Sequence, residues 1–437
     1  MSYAYSHRAV WNIAAPMIIS SITVPLLGMV DTAVMGHLPE SFFLGAVAAG
    51  ATIFSVLFMG LNFLRMGTTG ITAQSFGAGD NDSVREALGQ SLLTALLLAS
   101  IIILLQQPLI DMALRLLSPS QNVSLYTREY FNVRVWSAPA SLCNFVLIGW
   151  LLGMQNARAP LFIVLTINMV NIALDFLFVF GFGMTVRGVA LATLVAELAG
   201  VAVGFYFVRN VLAKHPGNWT NVVLGDLSRY RRLFDVNASL FLRTMSLMFV
   251  FAFITSQGAR MGDVILAVNA ILMNFQLFVS YALDGIAFAA EALVGKAVGA
   301  RDRDGVLTAV RRTRQWSLLF AGLFCVIYLL AGQSIIDLLT NIDVIRETAR
   351  EFLPWLIVSP LISVWAFFYD GVFVGLTRSR EMLIVMAGAA FLIFLPVWFG
   401  FETLGNHGLW LAFTLFMVAR GIGMHVWFRR IATQPLW

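Results

Sequence analysis

Asn168, Asn171 and Asp175 stand three, four and seven residues apart, spacings that bring all three to one face of a helix. Thr193 and Glu197, again four apart, share a face further along, and Asp31 stands alone in the first apolar stretch. Carboxylate and amide oxygens gathered inside apolar surroundings can hold a proton or a small hard cation. A charged residue at the centre of a bilayer costs about 2.5–3.5 kcal/mol on insertion scales, so acids at that depth are functional candidates by default. Removal from water also disfavours the charged form of a carboxyl group, which is the property a proton-coupling site needs. The amides and the threonine serve equally well as glue between helices. A lone carboxylate is poor glue, so Asp31 and Asp175 are the stronger candidates. The second half of the chain offers Asp284, Glu291 and Asp370, with Arg243 as a counter-charge.

Such groups need elements that keep them out of water, and the composition supplies them. Of 437 residues 59% are hydrophobic and 12% charged, with a mean hydropathy of +0.84. Soluble domains carry about 25% charged residues, so lipid must be the solvent for most of this chain. A bilayer core needs roughly 20 apolar residues per helix. About twelve such runs follow one another, the first near 10–35 and the last near 408–428. Lipid offers no partner for backbone N–H and C=O groups, so these runs are helices; the short alternating segments of a barrel do not occur. The first run is too long for a cleavable signal and carries Asp31, so it is expected to be retained.

Charge sets the orientation. The net charge of +5 comes almost wholly from arginine, Lys214 and Lys296 being the two lysines among 28 basic residues. The connections on one side hold about eighteen Lys and Arg against six on the other, so both termini are expected in the cytoplasm. The arginine surplus is therefore a topology signal and requires no nucleic acid. Cys143 and Cys325 sit in apolar stretches of opposite halves and read as small hydrophobes.

The sequence also repeats. At an offset of 222, Gly77, Ala78, Asp80, Asp82, Val84 and Ala87 fall on Gly299, Ala300, Asp302, Asp304, Val306 and Ala309, and Gly149, Gly153 and Arg158 fall on Gly371, Gly375 and Arg380. A duplication predicts an N-terminal six-helix bundle over 1–213, a cytoplasmic linker over 214–232 and a C-terminal six-helix bundle over 233–437. An even helix number per half makes the repeats parallel, as in carriers that work by alternating access. None of the intramembrane acids falls on another acid at that offset, so the halves share a scaffold and differ in polar chemistry. The duplicated G-x-x-x-G pairs are expected to pack helices within each bundle. Pro16 and Pro25 each remove a hydrogen bond from segment one and permit it to bend.

Three stretches carry a family likeness: Thr23-Val-Pro-Leu-Leu-Gly-Met-Val-Asp-Thr-Ala-Val-Met-Gly-His37, Trp150-Leu-Leu-Gly-Met-Gln-Asn-Ala-Arg-Ala-Pro160 and Ala282-Leu-Asp-Gly285. Through them the whole chain resembles the multidrug and toxic compound extrusion family. The resemblance implies an all-α integral membrane protein, twelve transmembrane helices in two pseudo-symmetric bundles around a central cavity. It implies export of lipophilic or cationic compounds in exchange for protons or sodium, with no cofactor beyond the coupling ion and no metal other than sodium. The family's coupling site lands on Asp31, Asn171, Asp175 and Thr193, and its bending proline on Pro16. A segment-ten carboxylate used in another branch corresponds to Asp370. The segment-seven acid of that branch is missing, Arg243 standing in that segment, which favours coupling through the first half.

Proton coupling is the preferred reading, with Glu197, Asp284 and Asp370 as further polar sites. Sodium-coupled efflux is its alternative. A lipid-linked saccharide flippase would need several arginines for its diphosphate, and only Arg243, Arg134 and Arg65 offer themselves. An enzyme would need a nucleophile or metal cluster at membrane depth, whereas His7, His37, His215, His407 and His425 all lie at ends or loops. A channel would need a pore-loop signature, which is absent. Small molecules and lipids are the expected partners of a monomer.

Overall fold

Sustained apolar composition without a strong polar face makes each run a helix that stays in lipid or in a bundle core. The computed structural model describes residues 5–36, 40–219 and 227–433, with residues 24–27, 29, 32, 227–229 and 232 described by backbone alone. Among these residues there is no strand. Twelve long helices follow in chain order: α1 (His7–Gly36), α2 (Ser41–Gly77), α3 (Asn81–Leu104), α4 (Gln121–Gly153), α5 (Arg158–Gly181), α6 (Val186–Lys214), α7 (Leu227–Arg260), α8 (Asp263–Gly299), α9 (Arg303–Leu339), α10 (Asp343–Gly375), α11 (Ser379–Leu404) and α12 (Asn406–Thr433). Eleven of them, from α2 on, are long and apolar enough to cross a membrane, and the 30-residue α1 makes the twelfth. A short helix, Gln106–Leu117, joins α3 to α4. Part of the expected linker, His37 and the side chain of Pro25 lie outside the described residues.

The chain divides into two compact units, Ile19–Leu233 and Met1–Ile18 with Phe234–Trp437. The sequence reading assigned all of 1–213 to one bundle, whereas the start of α1 packs with the second half. The cause is local. Gly285 of α8 lies against α1 so closely that a Cβ there would stand 2.9 Å from the Ile18 nitrogen and 3.1 Å from the Ala14 carbonyl oxygen. Trp316 of α9 meets Trp11 edge-on at 5.0 Å, and its indole N–H donates to His7 Nδ1 at 3.0 Å. Helix α1 runs unbroken through Pro16, two residues before the division.

The duplication is written in the backbone. Left-handed residues recur at the same 222 offset: Gly79 (φ +71°) with Arg301 (+53°), Gln155 (+63°) with Thr377 (+54°), and Gly183 (+66°) with Gly405 (+57°). Each ends a helix, as the Asn156 N–H to Leu151 carbonyl bond of 3.0 Å and its counterpart from Arg378 to Phe373, also 3.0 Å, illustrate. Close packing repeats too. A Cβ on Gly149 would fall 2.4 Å from the Arg65 carbonyl oxygen, and one on Gly371 2.4 Å from that of Ala287, again 222 residues on. The G-x-x-x-G pairs thus bring α4 onto α2 and α10 onto α8, each inside its own unit, as expected. Helices α5 and α11 both carry a π-turn, Phe176–Gly181 and Ala389–Phe394. These do not share the register, since the offset would carry Phe176 to Trp398.

Repeated caps start α3 and α9. Asp80 accepts from the Ser83 backbone N–H at 2.9 Å and its hydroxyl at 2.6 Å, while Asp302 accepts from the Gly305 N–H at 2.8 Å. The Ser83 bonds hold the Asp80 carboxyl below the usual aspartate range. Its stabilisation is therefore complete above the unfolded-state value and is lost as pH falls through the lowered folded-state value. Replacing Asp80 by alanine is expected to cost about 1 kcal/mol. In thermal unfolding of purified protein the gap between wild type and variant should shrink below about pH 4; a gap that widens on acidification would contradict the cap.

Candidate functional site

In the unit formed by Ile19–Leu233, α1, α5 and α6 bring Asp31, Asn171, Asp175 and Thr193 together. Asp175 is fully buried, Asn171 and Thr193 nearly so, and Asp31 half-buried. The four-residue step from Asn171 to Asp175 stacks them on the face of α5 that meets α6. With its amide nitrogen turned to the acids, Asn171 donates to Asp175 Oδ2 at 3.1 Å and to Asp31 Oδ1 at 3.2 Å. Its oxygen then faces the Thr193 backbone N–H and hydroxyl, both at 3.2 Å. The orientation is fixed by what the amide meets, since a carboxylate only accepts. The two carboxyl groups also face each other within hydrogen-bonding reach. Asp175 Oδ1 remains buried without a partner among the described residues.

Immediately after Asp175 the helix widens into the π-turn Phe176–Gly181, an irregularity that recurs at functional sites in helices. Asn168, two turns before Asp175, donates to the Thr23 carbonyl of α1 at 3.3 Å. It ties α5 to α1 and reads as positioning.

Arg134 of α4 is the component that the sequence reading left out of this site. It donates to the Tyr130 hydroxyl and lies over the Phe54 ring at 4.8 Å and the Tyr130 ring at 5.5 Å. From there its charge acts on Asp31, Asp175 and Glu197. Aromatic faces hold a guanidinium that carboxylates attract, and a charge at the middle of an apolar span was the signal that could have found it. Glu197 stands beside the cluster with partners of its own. Asn144 donates to its carboxylate at 2.7 Å and to its carbonyl at 2.9 Å.

The remaining candidates belong to the other unit. Asp284 accepts from the Ser280 hydroxyl at 3.4 Å, and Glu291 is buried in α8. Asp370 of α10 is bound by Arg243 of α7 and by Arg420 of α12, the latter at 2.8 Å. The sequence reading supplied Arg243 as a counter-charge and overlooked Arg420. A cavity of about 410 Å³ between α10 and α12 is lined by Leu361, Trp365, Ile422 and other apolar side chains. Its one ionisable group is His425, whose Nδ1 meets the Tyr369 hydroxyl at 2.5 Å. Cys143 and Cys325 are free thiols.

Comparison with known proteins places this architecture. The MatE family model matches residues 16–177 and 239–399. DNA damage-inducible protein F of Escherichia coli (strain K12) is 44% identical over 436 residues, 99% of this chain and 94% of that protein; it represents the branch of the family that the motifs resemble. A probable multidrug resistance protein NorM of Rhizobium meliloti (strain 1021) is 22% identical, with 99% and 96% covered. Among solved structures, a MOP superfamily transporter from Pyrococcus furiosus has a TM-score of 0.87 at 21% identity, over 98% of this chain and 97% of that one. A MATE structure in a straight conformation gives the same four values, and one in a bent conformation gives 0.85 at 20%, with 98% and 95% covered. At such identities the structures establish the twelve-helix fold. The family model over most of the sequence, together with the 44% relative of nearly equal length, shows that the chain belongs to the MatE, or multidrug and toxic compound extrusion, family.

Proposed function

We propose that this protein is a secondary transporter that exports lipophilic or cationic small molecules by alternating access, driven by protons moving inward through Asp31 and Asp175. The observation that carries the reading is the facing pair of carboxyl groups bridged by Asn171. A carboxylate has no hydrogen to donate, so a hydrogen bond between two carboxyl groups holds a proton. When that proton leaves, two negative charges face each other in a site shielded from water, and the pair separates or recruits a cation. Asp31 is on α1, so the separation bears on the helix that carries Pro16. Pro16 supplies the hinge, and protonation favours one shape of α1 over the other.

Sodium is the less favoured ion because Arg134 already supplies a cation to these acids. A sodium ion must compete with the guanidinium for carboxylate oxygens, whereas a proton adds to one of them directly. Export of one monovalent cation per proton is electroneutral and draws on the pH gradient alone, worth about 1.4 kcal/mol per pH unit. Multidrug export is supported by the family and by relatives that carry that description. The Lys and Arg asymmetry supports termini in the cytoplasm, and the Escherichia coli relative supports a bacterial inner membrane. The two six-helix halves act as its moving parts, within a monomer that uses no cofactor beyond the coupling ion.

Reconstitution into vesicles with an imposed pH or sodium gradient tests the reading by dye efflux. Efflux is expected to follow the pH gradient in sodium-free buffer. Efflux that requires sodium and ignores pH would transfer the role to sodium and leave the fold untouched.

A further inference from the structure

The unit containing Phe234–Trp437 holds a polar centre of the opposite sign. Arg243 from α7 and Arg420 from α12 both donate, through Nη2, to one oxygen of Asp370 on α10, Oδ2. The three side chains are 8, 4 and 16% exposed. Arginine does not lose its charge in proteins, so two guanidiniums around one carboxylate leave a unit of positive charge unmatched within the triad. The charged groups that act on Arg420 are Asp370 and Arg243 themselves. Retaining an excess cation away from water is costly. A protein built only to join three helices would do so with one arginine.

Hydrogen-bond accounting points the same way. Arg243 Nε is buried and has no partner among the described residues. Among the described residues Arg420 Nη1 reaches only the Met417 sulfur, at 3.3 Å, a weak acceptor. The Phe416 ring lies 5.4 Å from that guanidinium and steadies it. Donors that are poorly used, on cations that outnumber their anion, make a receptor for an oxyanion. Planar N–H pairs on a guanidinium suit a carboxylate in particular. Asp370 then acts as an internal stand-in, occupying both arginines until a ligand carboxylate displaces it from one of them. The duplication does not account for the centre: at the 222 offset Arg243, Asp370 and Arg420 fall on Ser21, Ile148 and Leu198.

We infer that Arg243 and Arg420 form an anion subsite that takes the carboxylate of a lipophilic molecule, and that this chain therefore handles anionic amphiphiles. The inference deepens the transport reading by naming a substrate class, but binding at the triad needs neither a gradient nor the first-half acids. Exporting a monoanion against an inward proton moves net charge, so voltage would add to the pH gradient as a driving force.

The test is equilibrium binding of a dansyl fatty acid and of its methyl ester to purified full-length protein in neutral detergent. The acid is expected to bind the wild type at least tenfold more tightly than the ester does. Arg420→Gln and Arg243→Gln should each weaken the acid about tenfold or more and leave the ester unchanged. Asp370→Asn should tighten the acid, because the competing internal carboxylate is gone. That opposite sign separates a receptor from a structural ion pair, and it remains readable if an arginine variant fails to fold. Equal binding of acid and ester, or weaker acid binding in Asp370→Asn, would overturn the subsite. Displacement of the acid by chloride at equal concentration would overturn the amphiphile and leave a small inorganic anion. None of these readings moves if proton coupling proves wrong, since no gradient is applied.

Discussion

Asp175→Asn is expected to fold and to lose proton-driven export. The side chain is fully buried and meets Asn171 and Asp31. Asparagine has nearly the same shape and can keep a hydrogen bond to its neighbours, yet it cannot take up a proton. One proton per cycle across one pH unit sustains about a tenfold accumulation ratio. The variant should sustain none, while substrate still equilibrates across the vesicle membrane. Asp31→Asn should behave alike, because the proposal gives the proton to the pair. Glu197→Gln should have a smaller effect, Glu197 being bonded to Asn144 instead. Dye efflux at a series of imposed pH gradients measures all three. Wild-type pH dependence in either aspartate variant would end the case for these residues.

The second large effect falls on the scaffold. Gly149→Leu and Gly371→Leu should each sharply reduce the amount of folded protein. The first Cβ alone would stand 2.4 Å from the Arg65 carbonyl oxygen and the second 2.4 Å from that of Ala287. Both obstacles are helix backbone, which cannot swing aside like a side chain. Overpacking a close contact costs about 1–3 kcal/mol, and here whole helices must move apart. Gly322→Ala in α9 is the matching control, since a Cβ there meets nothing within 4 Å and alanine is the better helix former by about 1 kcal/mol. Size-exclusion profiles of detergent extracts report both outcomes. Normal yields for the leucine variants would mean that the contact yields more easily than its geometry implies.

Much of this was legible in the residues. Helix number follows from the apolar runs, because lipid leaves the backbone so few choices. The duplication was readable from Gly77 to Ala309, and the structure extends it to residues such as Gln155 and Thr377, whose likeness lies in φ and not in side chain. Asn171 and Asp175 announced their shared face through helical spacing. Arg134 stayed out of the site because in the sequence it was weighed only as a diphosphate-binding arginine of a flippase, and only folding shows it seated on Phe54 and Tyr130. Arg420 stands mid-span in α12, where charge by itself should have drawn notice; its partner Asp370 is 50 residues earlier on another helix. The placement of His7–Ile18 with the second half was not readable, since it depends on the fit of Gly285 and Trp316.

The wide turns of α5 and α11 record an order of events. Markers on either side of them, Gln155 with Thr377 and Gly183 with Gly405, keep a single spacing, so neither copy has grown longer than its twin in between. Had the surplus residue been present in the common ancestor and stayed where it was, Phe176–Gly181 and Ala389–Phe394 would coincide. They do not, so at least one copy has changed in this stretch since the gene doubled. The π-turn of the first copy follows directly on Asp175, and the second copy carries Val397 at the corresponding place and no acid.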